Sequence, residues 1–177
     1  MKKALILFVV LLVATSAFAF EKGTMNLGGT ASLSMSKADS DDETTTAISL
    51  RPQFGYFVAD NVCIDGILIF ESESYDDDSI SAFGIGVGGR YFLNRIYGGL
   101  DFQYQSITMD ISPIDMNVTA MYIQPKLGVL LPLSSSVFAD LGMRYQMGLG
   151  DYGGDGSGAN ESSTMAFSVG LQYFFRR

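Results

Sequence analysis

Along the stretch Ser163–Phe175 every second residue is large and apolar: Met165, Phe167, Val169, Leu171, Tyr173 and Phe175. Between them lie Ala166, Ser168, Gly170 and Gln172, which are small or polar. A period of two over this length predicts a β-strand with one apolar and one non-apolar face. The pattern recurs along the chain. Thr24–Ser36 sets Met25, Leu27, Leu33 and Met35 against Asn26, Gly28, Thr30, Ser32 and Ser34. Further strands are expected at 45–58, 62–71, 80–92, 96–106, 117–131 and 137–149, giving eight in all.

The strands are long. From Met25 to Met35 is ten steps, roughly 33 Å at about 3.3 Å per residue. Tilted by about 40°, such a strand covers roughly 25 Å of height, the apolar band of a membrane barrel. Between strands, Ala59-Asp60-Asn61, Asn94-Arg95 and Pro132–Ser136 read as short turns. The alternate connections, Lys37–Thr44, Ser72–Ser79, Ile107–Met116 and Gly150–Glu161, read as long loops, mostly polar and acidic. Short turns at one end, long loops at the other and an even strand count are the layout of a transmembrane barrel. Pro52 within a strand predicts a bulge or a missing ladder bond. A short echo, Leu50-Arg51-Pro52-Gln53-Phe54-Gly55 against Ile123-Gln124-Pro125-Lys126-Leu127-Gly128, fits two strands in equivalent positions.

The contents of the two faces orient them. The apolar strips carry no charge; Met25, Leu27, Leu33, Leu50, Phe54, Phe102, Leu127, Leu141, Phe167, Leu171 and Phe175 are expected to face lipid. The opposite strips carry Arg51, Asp65, Glu71, Arg90, Asp101, Gln103, Lys126, Asp140 and Arg144 among many glycines. A water-facing surface so rich in Gly and Gln and so poor in Lys would be unusual. A narrow interior suits them, because charges of both signs can pair there and glycines leave room. The turn positions place Gly88 opposite Asp101, Gly86 opposite Gln103, Gly84 opposite Gln105 and Gly55 opposite Asp65. An ion-pair network is expected around Arg51, Glu71, Asp101, Lys126 and Arg144, since a lone buried charge is costly. Tyr56, Tyr91, Tyr173 and Phe175 at the short-turn end, and Phe70, Tyr104 and Tyr145 at the other, would form interfacial girdles.

Lys2 and Lys3 precede the apolar run Ala4–Val13, and Ala17-Phe18-Ala19 offers small residues at a cleavage site. This predicts a signal peptide over residues 1–19 and a barrel domain over 20–177. Loss of the two lysines takes the net charge from −8 to −10, which argues against a nucleic-acid partner. Cys63 is the sole cysteine, so no intrachain disulfide can form. Beyond residue 19 no run of apolar residues is long enough for a helical span.

Signal peptide, eight strands, the LRPQFGYFVADN stretch and the terminal Tyr173-Phe174-Phe175 together resemble the small outer-membrane β-barrel family, which includes outer-membrane protein X and the barrel half of outer-membrane protein A. The resemblance implies an all-β, eight-stranded antiparallel up-and-down barrel in a Gram-negative outer membrane, inserted by the barrel assembly machinery. Both termini would lie in the periplasm. Arg176 and Arg177 follow the terminal aromatic on which the family's recognition signal usually ends. Neither a cofactor nor one particular activity is implied.

With no histidine in the chain, Ser-His and Asp-His catalytic arrangements are absent, and an enzyme is not expected. Cys63 reads as a small residue filling the barrel. Asp39-Asp41-Asp42-Glu43, Asp76-Asp77-Asp78 and Asp151–Gly156 match no EF-hand spacing and read as solvated acidic loops. The expected protein is a monomeric barrel with a polar, side-chain-filled lumen, a structural or surface-interaction role and contact with lipid and lipopolysaccharide. A narrow channel for small solutes is the alternative. A soluble periplasmic lipid-binding barrel is a more distant one.

Overall fold

The computed structural model describes residues 20–37, 44–75, 78–111, 114–149 and 163–176. The signal-peptide region 1–19 lies outside them, as do most of the acidic residues of the loops. Eight strands run in chain order: β1 (Met25–Lys37), β2 (Thr44–Ala59), β3 (Val62–Tyr75), β4 (Asp78–Leu93), β5 (Ile96–Ile111), β6 (Ile114–Pro132), β7 (Val137–Gly148) and β8 (Ser163–Phe175). Each pairs antiparallel with its neighbours, and β8 returns to β1, closing the barrel. Among the described residues no helix is long and apolar enough to cross a membrane.

The short turns form as their residues dictate. Asn61 and Asn94 take left-handed backbone conformations (φ 63° and 61°), which asparagine tolerates better than most residues. The registers then place Gly88 against Asp101, Gly86 against Gln103, Gly84 against Gln105 and Gly55 against Asp65, as the turn positions predict. The closing seam carries the shortest ladder, from Met25↔Phe175 to Ala31↔Val169, whereas β1–β2 stays paired as far as Lys37↔Thr44.

Pro52 does interrupt a ladder. Between β2 and β3 the pairing passes from Leu50↔Phe70 to Gln53↔Ile67, leaving Arg51 and Pro52 unpaired on that side. On the other side Pro52 pairs with Gly29 of β1. Proline has no N–H to donate, so the gap is local and the register resumes unchanged. Pro125 does the same to β6–β7, which passes from Ile123↔Met147 to Lys126↔Arg144. The two similar hexapeptides therefore occupy equivalent places on strands four apart.

Two expected loops are largely strand. β3 and β4 extend to Tyr75 and Asp78, and β5 and β6 to Ile111 and Ile114. The physical reason is an inversion of the faces. Past Phe70, Phe83 and Tyr104, the outward positions change from apolar residues to exposed Ser72, Ser74, Ser79, Ser81, Ser106 and Thr108. Over the same length the inward positions of β4, β5 and β6 turn apolar, with Ile80, Ala82, Ile107 and Ala120, while β3 keeps Glu71 and Glu73 inward. These segments stand beyond the apolar belt and follow the rule for sheet in water, polar out and apolar in. Read for one rule along the whole strand, they look like loop.

The belt itself lies between. Leu27, Leu50, Phe54, Phe102, Leu127, Leu141, Phe167 and Leu171 are exposed on the outside of the barrel; Met25 and Phe175, paired at the strand ends, are partly covered. The side chain of Leu33 lies outside the description. Tyr56, Tyr91 and Tyr173 are exposed at one margin and Phe70, Tyr104 and Tyr145 at the other.

The position of the inversion can be tested by thiol labelling. Ser74→Cys and Thr108→Cys are expected to react with a water-soluble maleimide in native membranes about tenfold or more faster than Phe102→Cys, because a thiol in an apolar setting resists ionisation. Equal rates at the three positions would contradict the boundary.

Candidate functional site

The inward strips form three levels. At the short-turn end, the last inward positions of six strands are Phe57, Cys63, Phe92, Leu130, Phe138 and Phe174, and Tyr97 stands at the start of β5. Phe20, ahead of β1, completes the cluster. Its ring stacks on Phe174 and Phe57 with centroids 4.5 and 5.1 Å away, and meets Phe92 edge-on at 4.9 Å. The chain ahead of β1 is tied down: Asn61 N donates to the Phe20 carbonyl at 2.8 Å, and Phe20 N to Asn61 Oδ1 at 3.1 Å. Lys22 N donates to Asp60 Oδ1 at 2.9 Å. This aromatic layer adds an apolar end to the polar, side-chain-filled lumen that was expected. Its signal was present in the sequence, as an aromatic at the inward position nearest several short turns.

Above it sits a charged cluster. Arg90 reaches Asp65 through both Nε and Nη2 at 2.7 Å, with both residues fully or almost fully buried. The guanidinium lies over Phe92 and Tyr97, with centroids 5.1 and 5.3 Å from Cζ, and so joins this level to the aromatic one. Lys126 Nζ is 2.7 Å from Asp101 and 3.5 Å from Asp65. Cys63 Sγ packs 3.3 Å from Asp65. Asp140 accepts from the Tyr97 hydroxyl at 2.9 Å and from Gln172 Nε2 at 3.0 Å, and Gln172 in turn accepts from Asn26.

The third level is centred on Arg51. It donates to Glu71 at 2.5 Å, Gln124 at 2.8 Å, Gln146 at 3.1 Å, Gln103 at 3.2 Å and the Ser49 hydroxyl at 3.3 Å. Gln124 Nε2 lies 3.4 Å from Asp101 Oδ2 and links this level to the one below. Arg144 donates to the hydroxyls of Ser32 at 2.9 Å and Ser49 at 3.2 Å.

The expected network is thus brought together with two corrections. It forms two clusters, Arg51–Glu71 and Arg90–Asp65–Lys126–Asp101, joined by glutamine. Arg144 and Asp140 meet no opposite charge at ion-pair distance among the described residues. Hydroxyl and amide partners satisfy them instead, which a rule requiring charge to meet charge overlooks.

The glycines make room for these long side chains. A Cβ on Gly88 would lie 1.8 Å from Asp101 Oδ1, and one on Gly55 1.9 Å from Asn26 Oδ1. No group of His, Cys, Asp and Glu suited to a metal ion occurs among the described residues.

An antiparallel eight-stranded barrel with a charged interior, an uncharged apolar belt and aromatic margins is a transmembrane barrel of the outer-membrane type. The chain belongs to the outer membrane protein beta-barrel domain family, whose model matches residues 5–177. It is an outer-membrane protein of the Gram-negative envelope. Solved structures with similar folds include Neisserial surface protein A (16% identity, 89% of this chain and 99% of that one, TM-score 0.63). Another is the N-terminal β-barrel domain of Pseudomonas aeruginosa OprF (14%, 88% and 100%, 0.60). A third is Ail, the attachment invasion locus protein of Yersinia pestis (13%, 87% and 99%, 0.54). At these identities the likeness is one of fold. A search of curated proteins found no match.

Two strand glycines separate interior space from backbone effects. Gly88→Val is expected to lower the unfolding free energy of the refolded barrel in urea by about 1–3 kcal/mol, the usual cost of overpacking. Gly66 faces outward, and a Cβ there would meet only the Phe54 carbonyl, at 4.0 Å. Gly66→Val is therefore expected to stay within about 0.5 kcal/mol of wild type, as surface changes do.

Proposed function

We propose that the protein is a non-conducting barrel with a structural or surface-interaction role in the outer membrane. The observation that carries this reading is the aromatic layer: Phe20, Phe57, Phe92, Phe138 and Phe174 pack across the lumen at the short-turn end. A hydrated solute or ion would have to cross that layer and then the two buried charged clusters above it. Displacing close-packed rings and paired charges together is too costly for a resting pore.

The remaining parts of the reading rest on composition and family. Outward apolar residues would contact lipid, and the acidic connections would meet lipopolysaccharide or an extracellular ligand. Of these, residues 39–43, 76–77 and 151–156 lie outside the described residues. Insertion by the barrel assembly machinery is proposed by analogy with the family, and a monomeric state is part of the same reading. Cleavage after Ala19 would make Phe20 the first mature residue, and its burial in the aromatic layer gives that residue a structural use. A non-enzymatic role fits a chain without histidine whose one thiol is enclosed beside Asp65.

The competing reading is a narrow channel for small solutes. Purified protein reconstituted into planar bilayers is expected to give no stable conductance steps above the lipid background. Reproducible unitary steps from the wild-type protein would refute the non-conducting reading.

A further inference from the structure

The third level of the interior is the floor of a cavity of about 270 Å³, on the side away from the short turns. Two guanidinium groups meet there. Arg51 Nε and Arg144 Nη2 both donate to the Ser49 hydroxyl, at 3.3 and 3.2 Å. One carboxylate serves this pair directly: Glu71 accepts from Arg51 at 2.5 Å and from Ser49 Oγ at 3.0 Å. Glu73 stands one inward position further along β3. Arg144 is about nine-tenths buried and binds only neutral oxygens among the described partners. With Glu73 the described lining holds two guanidinium groups and two carboxylates, and of the two guanidinium groups Arg144 is the one that meets no carboxylate at ion-pair distance among the described residues.

The walls have a different character from the floor. Ile80, Ala82, Ile107 and the Tyr122 ring line it, together with Ala47 and Ala166. These inward apolar residues belong to the stretch in which the two faces exchange character. The site therefore joins a planar cationic group at its base to apolar walls above. A guanidinium matches a carboxylate through paired N–H donors, and the volume is just below the usual range for ligand sites, which suits a small molecule.

We propose that this cavity binds a small monoanionic carboxylate bearing a short apolar chain, with the carboxylate on Arg144 and the chain against Ile80, Ala82, Ile107 and Tyr122. The inference assumes a lumen closed below, but binding and conductance are measured separately, so the failure of one is distinguishable from the failure of the other.

The probe is octanoate, titrated into the refolded full barrel in neutral maltoside micelles and followed through the Arg144 Nε–Hε resonance. Acetate and octanol serve as the two half-ligands. Octanoate is expected to saturate at one site per barrel and shift that resonance, with acetate and octanol each binding about tenfold or more weakly. Arg144→Gln, its fold checked by heat-modifiable gel mobility, should weaken octanoate by about tenfold, the loss of one charge-assisted contact. If Arg144→Gln does not fold, Ile107→Gln takes its place, keeping the charge, spoiling the wall and weakening octanoate to the level of acetate. The proposal is overturned if wild type shows no saturable octanoate binding, if the substituted barrel binds octanoate equally well, or if octanol or acetate matches octanoate.

Discussion

The Arg90–Asp65 pair is the interaction on which the rest of the interior is arranged. Both side chains are removed from solvent, and the cluster built on them is joined to the level on either side. Arg90 lies over Phe92 and Tyr97 below. Asp65 draws Lys126 toward it and, through Lys126, Asp101 and Gln124. A buried charge without its partner is strongly destabilising, so the cluster requires every member. Surrounding lipid sets the constraint behind it. With apolar residues assigned to the outside, the interior must hold the polar ones, and hydrogen bonding among them offsets the cost of burial.

Arg51 fills the corresponding place higher in the lumen, and its position follows from the prolines. β2 and β6 lie on opposite sides of the barrel, and each breaks its ladder to the following strand at a proline. The inward residues just ahead of those prolines, Arg51 and Gln124, hydrogen-bond to each other across the lumen at 2.8 Å. The short sequence echo thus corresponds to a contact. Two similar hexapeptides are set four strands apart, and their polar residues meet at the centre.

Much of the fold was legible because the chain obeys a single rule over the membrane-crossing part of each strand. Strand number, order, inward and outward faces and the glycine-to-long-chain registers all follow from a period of two and three short turns. The rule stops where the membrane does. At Ser72, Ser74, Ser79 and Ser81 the outward residues are serines, and at Ile107 the apolar residue sits on the inner face. Both stretches therefore read as loop, although their described residues are β-sheet. The interior was legible in its composition but less so in its partners. Charge balance predicts pairs, yet Asp140 is held by Tyr97 and Gln172, and Arg144 by Ser32 and Ser49. Nothing in a residue's type says which neutral group a register will bring beside it. Phe20 was legible only as a residue near a cleavage site, because it lies outside any strand and its ring reaches the lumen through the fold of the chain around Asn61.

The most direct measurement is a double-mutant cycle on Arg90 and Asp65, using Arg90→Met, Asp65→Asn and the double variant in urea unfolding of the refolded barrel. Each single change is expected to cost about 3–5 kcal/mol, since it leaves the other partner buried without its counter-charge. The double change should cost less than the sum by about 2 kcal/mol or more, the signature of a directly coupled pair. Additivity within about 0.5 kcal/mol would contradict a barrel organised around this pair.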